Sequence, residues 1–187
     1  NFLTSIRILL TPFFIYFLLI RGDCLIAFII FTIASITDWY DGYFARKYNQ
    51  VTPEGRFLDP LADKILISSA FISFAVIGVV EYWMVALIIF RDLFVTGLRI
   101  FMEKNGISMI TTKIAKAKTA IQVSIIIFIL LILGFQGFPL KWFKDFIGVI
   151  LEFHIIYYLT LSVTFFTVWT GISYIYQNRT LIREITS

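Results

Sequence analysis

Long apolar runs alternate with short polar breaks along this chain, and the lengths of the runs decide its class. Six runs can form membrane-crossing helices, over about 5–20, 24–46, 60–80, 82–102, 115–134 and 146–176. A helix needs roughly 20 mostly apolar residues to cross a bilayer. The breaks carry turn chemistry. Arg21-Gly22-Asp23 reads as a tight turn, "KYNQVTPEGRF" as a loop, and "EKNGISMITTK" and "GFQGFPLKWFKD" as two more loops. Pro12 falls inside the first run and predicts a kink, or a join between an interfacial and a spanning part. The last run is longer than a bilayer requires, which predicts tilt or an extension into the cytosol. No repeat or low-complexity tract divides the 187 residues, so one membrane domain over 1–187 is expected.

Composition agrees with that pattern. The chain is 59% hydrophobic with 21 Phe, where a soluble domain has roughly 45–50% apolar residues. The excess makes lipid the solvent and predicts an all-α integral membrane protein with six transmembrane helices. The single cysteine, Cys24, and the single histidine, His154, exclude a disulfide framework, a cysteine-only zinc site and a histidine-rich metal centre. His154 is expected to be a structural hydrogen-bonding group. The first run shows no signal-peptide cleavage pattern. A start on Asn1 rather than Met is what a chain lacking a few upstream residues would show. No nucleic-acid partner is expected.

Charge adds an orientation. With the N-terminus inside, twelve of the 16 Lys and Arg fall on the inner side, three (Arg21, Lys141, Lys144) on the outer side, and Arg91 near mid-membrane. Positive residues favour the cytoplasmic side. The expected protein is therefore a multi-pass protein of the cell (inner) membrane with both termini cytoplasmic. Arg91 and Asp92 should face protein, in an internal ion pair with a neighbouring helix, because lipid penalises charge.

Candidate chemistry sits in "DWYDGYFARKYNQVTPEGRFLDPLAD", residues 38–63. Asp38 and Asp41 are three apart near the cytoplasmic end of the second run, and Asp59 and Asp63 are four apart at the start of the third. Each pair shares a helix face, so two antiparallel neighbours would aim four carboxylates at one spot. Asp59 followed by Pro60 also reads as an N-cap with proline at the first helical position. A structural reading fails on the set: four ionised carboxylates in spanning helices approach ~10 kcal/mol on insertion scales, less near the interface. One arginine does not neutralise them, whereas divalent cations do. Oxygen-only ligands favour Mg²⁺, Mn²⁺ or Ca²⁺ over zinc. Two metals at the cytoplasmic side would suit phosphoryl chemistry.

The spacing Asp-x2-Asp-Gly-x2-Ala-Arg-x8-Gly-x3-Asp-x3-Asp resembles the signature of the CDP-alcohol phosphatidyltransferase family. All eight fixed positions match: Asp38, Asp41, Gly42, Ala45, Arg46, Gly55, Asp59 and Asp63. The resemblance implies a membrane homodimer that displaces CMP from a CDP-linked lipid and joins the phosphatidyl group to a second alcohol. It implies that Asp38, Asp41, Asp59 and Asp63 hold Mg²⁺ or Mn²⁺, two ions in all, and that Asp63 is the catalytic general base. Gly42, Ala45, Arg46 and Gly55 would bind CDP-diacylglycerol.

Further stretches concern the acceptor. "NFLTSIR" resembles an amino-terminal pattern of these enzymes through Asn1, Leu3, Thr4 and Arg7. "LDPLADK" is similar to the phosphatidylglycerophosphate and cardiolipin synthase branch. "RDLFVTGLR" and "AKAKTAIQ" resemble stretches of the branch that uses glycerol 3-phosphate, with Asp92, Ile100 and Ala115 departing from it. Arg99, Lys116 and Lys118 are the expected ligands of the acceptor phosphate, which suits an anionic acceptor better than serine. Lys116 and Lys118 are two apart and cannot share a helix face, so only one should touch the phosphate directly. Sibling acceptors are phosphatidylglycerol, serine and an inositol phosphate. A cation-coupled transporter is the rival from another class, but the paired repeats and midplane helix breaks it should show are not found.

Overall fold

Helices account for nearly all of the described residues, and none of these lies in a strand. The computed structural model describes the backbone of residues 2–48, 53–104, 113–136 and 141–181; within these, the side chains of 2–5, 38–63, 103, 113–116 and 143 are not described. The helices are α1 (Phe2–Ile15, continued as a π-helical stretch Tyr16–Arg21), α2 (Cys24–Tyr48), α3 (Pro53–Val76), α4 (Tyr82–Lys104), α5 (Lys113–Phe135), α6 (Lys141–Glu152) and α7 (Ile155–Gln177).

The expected turn at Arg21-Gly22-Asp23 is present. Gly22 takes φ 70°, and its N–H and that of Asp23 both donate to the Phe17 carbonyl. This left-handed stop is one that glycine adopts without penalty. Helical backbone continues through Pro12, and the change of winding comes at Tyr16. Gly78, at φ 75°, ends α3 with the same left-handed backbone, and the Val79 and Val80 N–H groups donate to the Phe74 carbonyl.

Two expectations are corrected. The third helix begins at Pro53, not near residue 60. Pro53 takes the first helical position, where its missing N–H costs no hydrogen bond. Asp59 therefore lies inside α3 and is not its N-cap, and Gly55 lies in the first turn rather than in a loop. The run 146–176 is two helices. His154 adopts φ 51°, ψ 36° between α6 and α7, exposed, with Nδ1 3.0 Å from the Leu151 carbonyl oxygen. Apolar residues on both sides conceal this break from hydropathy. Of the other expected loops, 49–52, 105–112 and 137–140 lie outside the described residues, as does Arg183.

α1 lies along α2 and α3, α2 also packs on α5, α4 lies between α3 and α7, and α5 meets α7. Phe14 and Phe31 pack with ring centroids 5.6 Å apart. Phe71, Phe74, Ile126, Ile129 and Leu130 are wholly buried around them, and Ala27, Ala34 and Ala70 let the rods approach. The outside is equally apolar: Ile29 and Ile33 on α2, Phe90 and Phe94 on α4, and Phe165 and Trp169 on α7 are exposed. Water would penalise so continuous a surface. Two described stretches, Ala117–Phe135 and Ile155–Gln177, are long and apolar enough to cross a membrane.

The α4–α7 approach depends on Gly171. A Cβ there would stand 2.8 Å from Arg91 Cγ and 3.1 Å from its Nε. Gly148, in α6, has open space at the same point. Alanine in a helix normally gains about 0.5–1 kcal/mol over glycine, while overpacking costs about 1–3 kcal/mol. Gly171→Ala is therefore expected to lower the melting temperature of the detergent-solubilised protein, and Gly148→Ala to leave it level or raise it. Thermal unfolding of the pair side by side checks this.

Candidate functional site

The eight signature positions fall on two described helices. Asp38, Asp41, Gly42, Ala45 and Arg46 occupy the last turns of α2, and Gly55, Asp59 and Asp63 the first three turns of α3. Because both segments are helical, the 38/41 and 59/63 spacings each give one-face pairs. How their side chains meet lies outside the described residues. The donor set itself fits a hard divalent cation: four carboxylates, all oxygen, in two pairs. Among the described side chains, no group of three or more His, Cys, Asp or Glu could hold a metal.

Directly after Asp63 along the chain, Lys64 belongs to a buried charge cluster. Asp92, on α4, is 3% exposed at its side chain. Its Oδ1 accepts from the Lys118 ammonium, which projects from α5 and is 1% exposed. The same oxygen accepts from Arg91 Nη1 at 3.1 Å. Oδ2 accepts from Gln122 Nε2 at 3.3 Å and lies 4.0 Å from Lys64 Nζ on α3. Hydrogen-bond donors from α4 and α5 and an ion-pair partner from α3 thus converge on one carboxylate. Breaking such a buried pair by removing one partner costs about 3–5 kcal/mol, because the other charge is left alone.

The expectation that Asp92 would pair internally with a neighbouring helix is met by Lys118. Arg91 adds its own bond to Asp92, while its stem lies against Gly171 of α7. Lys118 was also expected at the acceptor phosphate, and here its ammonium is buried on Asp92. Arg99 lies seven residues beyond Asp92 on α4, on the same stripe two turns along, and is exposed. Lys116 occupies the first turn of α5, about 200° around the helix from Lys118. The structure thus separates positions 116 and 118 as their spacing requires.

Sequence reading missed Lys64 and Gln122 as members of this cluster. By topology alone, Lys64 is one of the twelve inner-side cations. The signal was present in the four-residue step from Lys118 to Gln122, which puts two donors on one face of α5.

The sequence profile of the family described as CDP-alcohol phosphatidyltransferase matches residues 1–173. The CDP-diacylglycerol–glycerol-3-phosphate 3-phosphatidyltransferase of Rickettsia felis is 36% identical over 176 residues, covering 93% of this chain and 91% of that protein. The Bacillus subtilis protein of the same name is 41% identical over 137 residues, 66% of this chain and 71% of its own length. The Escherichia coli one is 37% identical over 131 residues, covering 64% and 69%. The eight matched signature positions, the all-helical fold and the profile match over nearly the whole length agree, and the chain belongs to the CDP-alcohol phosphatidyltransferase family.

Proposed function

We propose that this chain transfers the phosphatidyl group of CDP-diacylglycerol to glycerol 3-phosphate, giving phosphatidylglycerophosphate and CMP. The observation that carries this reading is the similarity over 93% of the chain to a relative named for that reaction. The match of all eight signature residues supports the donor half of the reaction. The cations Arg99 and Lys116 support an anionic acceptor.

The setting we propose is a six-span homodimer of the inner membrane, with α1, α2, α3, α4, α5 and α7 crossing. Both termini and the aspartates face the cytoplasm. The lengths of these helices and the twelve-to-three bias of cations support the arrangement. α6, with 12 residues, is too short to cross. In this arrangement Lys141 and Lys144 fall on the outer side, against membrane lipid.

In the proposed reaction Asp38, Asp41, Asp59 and Asp63 hold two Mg²⁺ or Mn²⁺ ions. Bound there, the ions supply charge neutralisation for the pyrophosphate and for the departing CMP. Gly42, Ala45 and Gly55 leave room for the nucleotide, and Arg46 pairs with phosphate. Arg99 and Lys116 hold the acceptor phosphate, while Lys118 fixes α5 through Asp92. Asp63 takes the proton from the acceptor hydroxyl. That oxygen bonds to the phosphorus bearing diacylglycerol, and the pyrophosphate P–O bond breaks with its electron pair leaving on CMP.

The deciding experiment incubates purified protein with CDP-diacylglycerol and, separately, glycerol 3-phosphate, serine, an inositol phosphate or phosphatidylglycerol. CMP release with glycerol 3-phosphate alone is expected; release with another acceptor alone would replace the assignment. EDTA should abolish the release and Mg²⁺ or Mn²⁺ restore it, and full turnover after exhaustive chelation would sink the metal assignment.

Two variants divide the roles. Asp63→Asn should lower turnover by about 10²–10⁴-fold, as loss of a general base does, with CDP-diacylglycerol binding retained. Recovery of the rate at high metal would leave Asp63 a metal ligand only and reject it as the base. Arg99→Ala should raise KM for glycerol 3-phosphate by roughly tenfold or more, given ~1.5–3 kcal/mol for a charged hydrogen bond. KM for CDP-diacylglycerol should hold, and an equal rise in both constants would indicate a folding role.

A further inference from the structure

We infer that Asp92 is a positioning residue for transfer: through Lys64 and Lys118 it fixes the turn of α3 that bears Asp63 against α4 and α5. The inference rests on the phosphatidyltransferase reading above and adds a residue to it. Asp92 lies in none of the eight signature positions, and it is buried among protein groups.

Three observations carry it. First, both carboxylate oxygens are used. Oδ1 serves Lys118 and Arg91, and Oδ2 serves Gln122 and faces Lys64, so the group holds three helices at once. Second, Lys64 directly follows Asp63. Neighbouring helix residues stand about 100° apart, so the azimuth at which Lys64 meets Asp92 sets the azimuth of position 63. Third, the anchor on α5 is double. Lys118 and Gln122, one turn apart and both buried, grip the same carboxylate, which fixes the rotation of α5 as well as its distance. A pair serving stability alone could stand anywhere along the spans. This one meets the residue that follows the last signature aspartate, lies two turns along α4 from Arg99, and engages α5 two residues past Lys116.

The test must separate position from stability. Asp92→Leu strands the Lys118 charge in the interior and should lower the melting temperature in detergent. The double variant Asp92→Leu/Lys118→Met also removes the most deeply buried of the stranded cations, leaving only the partly exposed Arg91 and Lys64 without this counter-charge, and should recover part of that loss. Its kcat is nevertheless expected to stay about tenfold to a hundredfold below the parent, the scale of a misplaced group. KM for CDP-diacylglycerol should hold. Asp92→Glu, which keeps the charge on a longer arm, should restore kcat to within a few-fold. In nanodiscs, the amides of residues 61–68 in the double variant should exchange hydrogen faster than in the parent.

A double variant with parental kcat, or with parental exchange over 61–68, would overturn the role of Asp92. So would a rise in KM for glycerol 3-phosphate at parental kcat, since Lys118 would then be a phosphate ligand. The exchange measurement needs no substrate. A parent that released no CMP with glycerol 3-phosphate would remove the acceptor assignment, and the position of α3 would still be tested.

Discussion

One carboxylate in an apolar interior sets the terms for much of this structure. Asp92 is nearly sealed from solvent, in a chain whose surroundings are Phe, Ile and Leu. A buried charge needs both a counter-charge and hydrogen bonds to its remaining lone pairs, because the medium supplies neither. Asp92 obtains them from Lys118, Arg91 and Gln122, with Lys64 at the edge. Each of these donors must be delivered by a helix at the right depth and rotation. The requirement therefore constrains the register of α3, α4 and α5 more tightly than apolar packing alone, since Leu-on-Ile contacts tolerate sliding and a shared carboxylate does not.

The rest of the bundle is held by closeness. Without a hydrophobic drive between helices in lipid, association depends on small residues that let backbones approach. α7 turns such a face inward, with Thr160, Thr164, Thr167, Thr170 and Gly171 all buried. The hydroxyls of Thr160 and Thr164 donate to carbonyls one turn back, each at 2.8 Å, so they enter the interior already satisfied. At Gly171 the missing side chain admits the aliphatic stem of Arg91, whose head then reaches Asp92. Small-residue packing and charge pairing thus meet at one side chain: the glycine on α7 lets Arg91 fit beneath it.

Much of this was legible in the sequence, for identifiable reasons. The helices are long and apolar, so their existence could be read directly. The Gly22 turn was visible because glycine is the residue that a left-handed helix stop favours. The signature aspartates stood out because four carboxylates in an apolar chain have no inexpensive structural explanation. What could not be read lay where local cues conflict with the backbone. Asp59-Pro60 carries the local chemistry of a helix start, yet α3 is already helical from Pro53. The break at His154 has apolar sequence on both sides and no glycine to mark it. Lys64 looked like an inner-side anchor, since topology alone suffices to place a lysine there, and only the fold brings it to Asp92.

Lys116 and Lys118 show how fold and proposed chemistry are joined. A two-residue step on a helix places them on opposite sides, so a single stretch of α5 cannot turn both toward one ligand. The structure commits position 118 to the interior, and the regular backbone of α5 then carries position 116 to the other side. On α4 the step from Asp92 to Arg99 is seven residues, which keeps one stripe, so the stripe that is buried at Asp92 surfaces at Arg99 two turns later. The cations proposed for the acceptor phosphate therefore have their places set by the contacts of a carboxylate that need never touch the acceptor. Any change that let α5 rotate about Asp92 would move Lys116 relative to Arg99 before it disturbed the apolar core. Turnover is then expected to be more sensitive than folding to the contacts at Asp92.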